Sequence, residues 1–240
     1  MNISSELVNQ FQKVILEKSQ NLNNCDSIFT FIHEFIYKNN RGYLIIVGSP
    51  GSGKSAILAN VVSSNHNPNI NIIYYNAQIE GKNRAEKFFK YICAELKKIL
   101  TSRDWGIVEI PENATEGSWF FSLLLQKVSD KIELTEKLII VIDALDAINP
   151  NHQPIGTNLF YLPRYIPDGI YFILTRRPFK KEQSGLLIEA PSQMINLCEY
   201  ELKNWDNEEA FAQHWQKMQG EGLSDVDLQV LQVLVSVGKD

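Results

Sequence analysis

A chain of 240 residues with 44% hydrophobic and 21% charged residues is typical of a globular protein that buries a core. No apolar stretch is long enough to span a bilayer, and the N-terminus lacks the basic and apolar regions of a secretory signal. The net charge of −5 disfavours a general nucleic-acid surface, and three scattered cysteines without metal-ligand spacing (Cys25, Cys93, Cys198) suit a reducing cytoplasm.

Two amphipathic helices are predicted before the first strand. The first covers residues 5–18, where apolar residues recur at helical spacing. The second begins near Asp26, a plausible N-cap, and ends at the polar segment 39–42. We interpret His33 on this second helix as a packed or solvated residue rather than a ligand. Residues 1–25 are predicted to form an N-terminal helix ahead of the main domain.

A phosphate-binding loop follows the first predicted strand. That strand, residues 43–47, is an apolar run of the kind that is buried on both faces of a parallel sheet. Residues 48–55 read Gly-Ser-Pro-Gly-Ser-Gly-Lys-Ser, which fits Gly-x-x-x-x-Gly-Lys-Ser, and residues 56–62 have helical spacing. This order is the context of a Walker A motif, because the loop must aim backbone N–H groups and a helix N-terminus at phosphates.

The loop residues are assigned roles from their charge and reach. Lys54 is predicted to contact the β- and γ-phosphates of a nucleotide, and the Ser55 hydroxyl to bind a magnesium ion that bridges them. A glycine-rich turn that binds nothing is the alternative, but the complete spacing and both flanking elements argue against it. The predicted nucleotide contacts are Gly48, Ser49, Pro50, Gly51, Ser52, Gly53, Lys54, Ser55 and Ala56.

A second strand and two further helices are predicted next. Residues 70–75 are mostly apolar, and the segment 76–78 lies at the carboxyl end of this strand, where ligands bind in open α/β sheets. Residues 84–100 have the apolar spacing of an amphipathic helix. Residues 101–116 have no clear period and are predicted as loop, and Ser118 is the predicted cap of the next helix.

The second motif is an apolar run that ends in an aspartate, Leu-Ile-Ile-Val-Ile-Asp at residues 138–143. It places the Asp143 carboxylate at the tip of a buried strand, beside the expected metal and triphosphate. Many strands end in aspartate, so the run alone is a weak signal. Together with the complete Walker A motif upstream it forms a Walker B pattern, and we predict that Asp143 holds magnesium directly or through water.

Another buried strand is predicted at residues 170–174, followed by Thr-Arg-Arg-Pro at 175–178. A polar or cationic group at this tip could sense the γ-phosphate or stabilise charge that spreads over it. The last strand of the sheet is either 186–189 or 194–197, both short apolar runs. Residues 201–240 change to amphipathic helical spacing, which predicts the start of a helical neighbour domain.

Together the motifs resemble the STAND class of AAA-related P-loop NTPases, and above all the NACHT-like modules of multidomain bacterial proteins. Besides the Walker A segment, the resemblance rests on Ile-Asp-Ala-Leu-Asp at 142–146, on 161–169 and on Phe-Ile-Leu-Thr-Arg-Arg-Pro at 172–178. It implies a three-layer α/β fold with a five-stranded parallel sheet, in which the sensor strand lies between the two Walker strands. It also implies an NTPase domain over residues 26–200, followed by the helical domain.

Some positions depart from the pattern of this class. Its extended Walker B reads Asp-x-x-Asp-Glu, whereas the last position here is Ala147, so the usual group that polarises the attacking water is missing. Hydrolysis is then slow or depends on Asp146. Arg177 matches the sensor arginine of the class, and Arg176 stands where serine is common. The Arg176 guanidinium either strengthens phosphate sensing or is solvated.

The resemblance implies a signalling switch that holds ADP when closed and exchanges it for ATP to open and oligomerise. Lys54, Asp143, Asp146 and Arg177 would act on the phosphates, with magnesium held by Ser55 and Asp143. The expected partners are the nucleotide and other copies of the protein, which would associate through this domain and through flanking domains of a larger cytoplasmic protein. Neither a membrane nor a nucleic acid is an expected partner. An adenine contact, often a Gly-x-Pro segment, is expected beyond residue 240.

Other functions stay open at this point. A P-loop kinase would transfer the γ-phosphoryl group to a small acceptor, but the segment between Pro178 and Gln193 offers only Lys180 and Lys181 for the arginine-bearing lid such kinases need. A nucleotide-dependent interaction module without turnover is favoured by Ala147. Nucleic-acid translocases share the fold, but the acidic composition disfavours them.

Overall fold

The described part of the chain contains five α-helices and five strands, which are mixed along the sequence as in an α/β protein. The computed structural model describes residues 3–19, 25–105, 109–115, 117–149, 152–153, 155–178 and 186–197. The helices are α1 (Ile3–Ser19), α2 (Asp26–Lys38), α3 (Lys54–Ser63), α4 (Ala85–Ser102) and α5 (Trp119–Ser129). The strands are β1 (Gly42–Val47), β2 (Ile70–Asn76), β3 (Lys137–Asp143), β4 (Ile170–Arg176) and β5 (Ser192–Asn196). Short 3-10 turns lie at Glu112–Thr115, Leu145–Ala147 and Leu159–Tyr161.

The strands form one parallel sheet in the order β2-β3-β4-β1-β5. This confirms the predicted arrangement, because β4 lies between β1 and β3. Strands β1 and β4 are buried along their whole length, as expected for continuous apolar runs in a parallel sheet. The carboxyl ends of β1, β3 and β4 therefore meet at one edge of the sheet, beside the loop that follows β1.

Helices cover both faces of the sheet. Tyr171 and Phe172 are consecutive residues of β4 and point to opposite faces. The ring of Phe35 on α2 lies 6.2 Å from that of Tyr171, and the ring of Phe121 on α5 lies 6.1 Å from that of Phe172, measured between centroids. The predicted three-layer α/β architecture is therefore confirmed, with apolar core on each side of the sheet.

The first helix packs onto this domain through Phe11. Helix α1 contacts α3 and β2, and Phe11 is only 2% exposed. Its ring meets those of Tyr74, Tyr75 and Tyr91 edge-on, with centroids between 5.1 and 5.8 Å apart. Edge-to-face pairs of this kind add to the stabilisation from burial. Helix α1 thus shares a core with β2 and α4.

Some predicted boundaries differ from those observed. Asp26 is the first residue of α2, and Cys25 occupies the N-cap position, so the predicted cap is wrong by one residue. The last strand is β5, which pairs with β1, and not the earlier apolar run at 186–189. A 3-10 turn at Glu112–Thr115 interrupts the segment predicted as loop. Ser118 is the N-cap residue of α5, as predicted, although its side chain makes no capping hydrogen bond.

His33 is exposed and its ring stacks on that of Tyr37, which agrees with a solvated residue. The helices predicted within 201–240, and the lid candidates Lys180 and Lys181, lie outside the described residues. None of the helices that the structure describes is both long enough and apolar enough to cross a membrane.

We predict that Phe11→Ala lowers the free energy of unfolding by about 3–5 kcal/mol, because it leaves a cavity between α1, β2 and α4. Urea denaturation measures this as a lower midpoint with an unchanged slope. Leu16→Ala is the matched control, since Leu16 lies on the same helix and is 62% exposed. Its effect should stay within about 0.5 kcal/mol. Equal effects of the two substitutions would show that α1 does not belong to the cooperative core.

Candidate functional site

The predicted phosphate-binding loop joins β1 to α3. Residues 48–55 leave the carboxyl end of β1, and α3 begins inside the motif, at Lys54. Gly53 precedes the helix with a φ of 84°, and a Cβ at this position would meet no atom within 4 Å. Glycine is required here for its backbone conformation rather than for lack of space. The turn presents the N-terminus of α3, where backbone N–H groups and the helix dipole favour an anion.

A second glycine brings the loop close to β4 and β5. A Cβ on Gly48 would overlap the Ser52 hydroxyl and press on Leu197, which follows β5. The Gly48 N–H donates to the carbonyl oxygen of Arg176 at 3.3 Å. The start of the loop is therefore tied to the carboxyl end of β4, one residue before Arg177.

Lys54 lies against its own loop. Its Nζ donates hydrogen bonds to the carbonyl oxygens of Gly48 at 2.7 Å and Ser49 at 2.6 Å, and Ser52 Oγ lies at 3.4 Å. These charge-assisted bonds hold the ammonium group inside the curve of the loop. The predicted contact of Lys54 with phosphates requires a cation inside the loop, where this ammonium group lies.

Asp143 ends β3 as a buried carboxylate, 1% exposed. Thr175 Oγ1 donates to its Oδ1 at 2.5 Å, while the Tyr74 hydroxyl and Asn76 Nδ2 both donate to its Oδ2 at 3.2 Å. A buried charge needs such donors, because an unpaired one is costly to remove from water. The donors come from β2 and β4, on the two sides of β3, so the order of the strands orients the carboxylate.

Tyr74 and Asn76 are hydrogen-bonded to each other as well as to this carboxylate. Burial, together with the negative charge of Asp143, raises the pKa of Tyr74 well above its usual value, so its hydroxyl stays a donor at physiological pH. Asn76 Nδ2 also donates to the Tyr74 hydroxyl at 3.3 Å, and Asn76 Oδ1 accepts from the Gln78 N–H at 2.8 Å. The segment 76–78 therefore supports the carboxylate at the edge where the sequence predicted a ligand.

The chain turns sharply after Asp143. Ala144 has φ 59° and ψ 52°, a left-handed conformation that is unfavourable for a residue with a Cβ. Its N–H donates to Thr175 Oγ1 at 2.9 Å, so one threonine hydroxyl joins this turn to the carboxylate. The turn starts the short helix Leu145–Ala147, which carries Asp146 to the end of β4. Strained backbone is concentrated at functional sites.

Asp146 is paired with Arg177. Asp146 Oδ1 accepts from the backbone N–H of Arg177 at 2.9 Å, and its Oδ2 lies 3.3 Å from Arg177 Nε. The Arg177 side chain is 57% exposed and that of Asp146 is 20% exposed. Two residues that were predicted to act on the phosphates therefore contact each other.

Arg176 is buried, so the predicted alternative of a solvated side chain is wrong. It is 2% exposed, and its Nη1 donates to the Arg177 carbonyl oxygen at 3.0 Å. Burial lowers the pKa of the Arg176 guanidinium, and the nearby Asp146 carboxylate opposes this shift. Arginine nevertheless stays protonated in proteins. A permanent positive charge therefore lies inside the carboxyl end of β4, next to the loop.

The loop residues, Asp143 and Arg177 all lie at the same edge of the sheet, as the sequence predicted. Sequence reasoning missed Tyr74 and Thr175 as the partners of the carboxylate. Asn76 was placed at a ligand-binding edge, but its contact with Asp143 follows only from the register that sets these two residues side by side. A polar residue at the end of each strand that flanks β3 was the available signal.

The oxygen donors present fit a magnesium ion that is shared with a nucleotide. Ser55 has a hydroxyl and Asp143 a carboxylate, which are donors that magnesium prefers, and α3 contacts β3. Among the described residues, no group of three or more His, Cys, Asp or Glu side chains could hold a metal by itself.

Comparison with known proteins assigns more than half of the chain to one family model. The model described as nephrocystin 3, N-terminal, matches residues 25–163, which contain the loop, β2 and Asp143. A search of curated proteins found no match.

Two solved structures are distantly similar. Drosophila ORC bound to DNA is 13% identical with a TM-score of 0.43, over 94% of this chain and 59% of that one. C. elegans PCH-2 is 11% identical with a TM-score of 0.32, over 82% of this chain and 43% of that one. The chain therefore spans 59% of the length of the first of these proteins and 43% of the second.

We predict that Thr175→Val lowers the free energy of unfolding by about 2–4 kcal/mol. The isosteric change removes a donor from a buried carboxylate and an acceptor from the Ala144 N–H, and each buried group left unpaired is costly. Thr30→Val is the matched control, because the Thr30 hydroxyl bonds the Asp26 carbonyl on the exposed side of α2. Denaturant unfolding should show no change beyond about 0.5 kcal/mol for the control. Equal losses would contradict the network around Asp143.

We predict that Ala144→Gly is neutral or stabilises the protein by up to about 1 kcal/mol, because relief of the left-handed strain exceeds or offsets the entropy gained by the unfolded chain. Ala59→Gly in the middle of α3 is the control and should destabilise by at least about 1 kcal/mol. Thermal or urea unfolding of both variants measures the difference. A loss as large for Ala144→Gly as for the control would rule out the left-handed turn.

Proposed function

The chain belongs to the nephrocystin 3 N-terminal family, and on that premise we propose that it is a switch that binds ATP or ADP with magnesium and hydrolyses ATP slowly. It is a P-loop NTPase module, with the Walker A loop between β1 and α3 and an aspartate at the end of β3. The observation that carries the proposal is the meeting of a lysine, a helix N-terminus and a buried carboxylate at one edge of the sheet.

The roles proposed for these groups follow from their positions. Lys54 would exchange its two carbonyl partners for phosphate oxygens, and the N–H groups at the start of α3 would donate to the same phosphates. Ser55 and Asp143 would hold magnesium, which neutralises part of the phosphate charge when it is bound. Tyr74, and Thr175 on the other side, would keep the carboxylate in place.

The switch itself is the finer part of the proposal. In a STAND-type, NACHT-like module, ADP would be held in one state and ATP in the other, and the exchange would control self-association within a larger protein. Arg177 supports this, because its side chain is 57% exposed and the residue lies at the end of the strand that is bonded to the loop. We propose the cytoplasm as the compartment, since the scattered cysteines suit a reducing environment.

A second candidate is a nucleotide-dependent interaction module without turnover. It is favoured by Ala147, which has no group to polarise water, and by the pairing of Asp146, the remaining acidic candidate, with Arg177. Release of phosphate from ATP separates the two functions. A rate above that of Lys54→Ala supports the switch with hydrolysis, and a rate equal to it supports the module without turnover.

We predict that Lys54→Ala weakens MgATP binding at least about tenfold, because hydrogen bonds to charged groups contribute about 1.5–3 kcal/mol each. Isothermal titration calorimetry of the full chain measures this directly. Replacing magnesium with an excess of chelator should also weaken ATP binding by the wild-type protein, since Ser55 and Asp143 would lose their shared ion.

Lys90→Ala is the matched control for this experiment. Lys90 lies exposed on α4, paired with Glu86, and has no place in the proposed site. The Lys90→Ala protein should bind MgATP with the same affinity as the wild type. If Lys54→Ala bound MgATP as tightly as Lys90→Ala, the roles assigned to the loop would be wrong.

A further inference from the structure

Asp146 holds the end of β4 by two separate contacts. One is to the backbone, from the Arg177 N–H to Oδ1, and the other is to the side chain, between Arg177 Nε and Oδ2. The backbone contact needs only an oxygen acceptor, whereas the side-chain contact needs a negative charge. An asparagine at position 146 would therefore preserve the first contact and remove the second.

Arg177 is the more exposed partner of this pair. Its side chain is 57% exposed, while the Asp146 side chain is 20% exposed at the end of a short helix. An ion pair as exposed as this is weak, so another anion of suitable geometry can replace the carboxylate. The neighbouring Arg176 is buried and held by its bond to the Arg177 carbonyl, so it is not available for the same exchange.

The position of the pair points to the anion that would compete. The strand end that carries both arginines is bonded directly to the loop, through the Gly48 N–H and the Arg176 carbonyl oxygen. A phosphate chain bound by the loop would therefore lie at the same edge of the sheet as Arg177. Its last phosphate would be a second anionic partner for the same guanidinium, and this partner exists in a triphosphate but not in a diphosphate.

We propose that Asp146 determines the preference for nucleoside triphosphate over diphosphate, by competing with the γ-phosphate for Arg177. This inference rests on the proposed nucleotide site. It assigns Asp146 to specificity rather than to activation of the attacking water. In the diphosphate state Arg177 stays with Asp146, and in the triphosphate state it exchanges the carboxylate for phosphate oxygens.

The test compares the affinities of the full chain for magnesium with ADP and with a non-hydrolysable ATP analogue, by titration calorimetry. Asp146→Asn should bind the ATP analogue about two- to fivefold more tightly than the wild type, because a weak exposed ion pair no longer competes. Its affinity for ADP should be unchanged within measurement error. The ratio of the two affinities is the readout, since a merely structural role would change both alike.

A second experiment, in the Arg177→Gln protein, separates competition for Arg177 from general repulsion between the Asp146 carboxylate and the nucleotide. In the Arg177→Gln protein, Asp146→Asn should leave the ratio unchanged, because the contested guanidinium is absent. Asp168→Asn is the matched control in the wild-type background, as Asp168 pairs with Arg41 at the amino end of β4. It also removes one negative charge from an arginine pair, and it should leave both affinities as they are.

Three results would overturn the inference. They are an unchanged ratio in Asp146→Asn, the same gain in the Arg177→Gln background, or weaker binding of the ATP analogue by Asp146→Asn. If the wild-type protein bound neither nucleotide, the proposed function would fail and this inference with it. If it bound both and only the ratio failed to respond, the nucleotide site would stand and the role of Asp146 would not.

Discussion

The buried charge of Asp143 is the constraint on which the rest of the site depends. A carboxylate that is 1% exposed requires hydrogen-bond donors, and these lie on the strands to either side of it. The order β2-β3-β4 is therefore a requirement of the site as well as of the fold. Because β4 also pairs with β1, the arginines that follow Thr175 come to lie beside the phosphate-binding loop.

Local sequence patterns were sufficient for most of the fold. The apolar runs of β1 and β3 predicted buried strands, and the helical spacing after the glycine loop predicted a helix from residue 56, two residues after the observed start of α3 at Lys54. The order of the strands did not come from such patterns but from the resemblance to a known class of NTPases. The cap of α2 was predicted at Asp26 instead of Cys25, and the last strand was left open between two short apolar runs, since no local pattern sets either boundary.

The support of the site could not be predicted in the same way. Asp143 bonds with Tyr74 and Thr175 across 69 and 32 residues of sequence, and no local period encodes such contacts. The adjacent arginines are equivalent as letters, yet Arg176 is buried as the last residue of β4 and Arg177, just beyond the strand, is exposed. Their different environments arise only when the sheet and its covering helices are assembled.

Tyr74 has two neighbours of different kinds. Its ring lies edge-on to Phe11 of α1, and its hydroxyl bonds Asp143 at the far end of β3. One residue therefore takes part both in the packing of the amino-terminal helix and in the hydrogen bonds of the acid proposed to bind the metal. Helix α1 thus packs on the same group of tyrosines that supplies a hydrogen-bond donor to this carboxylate.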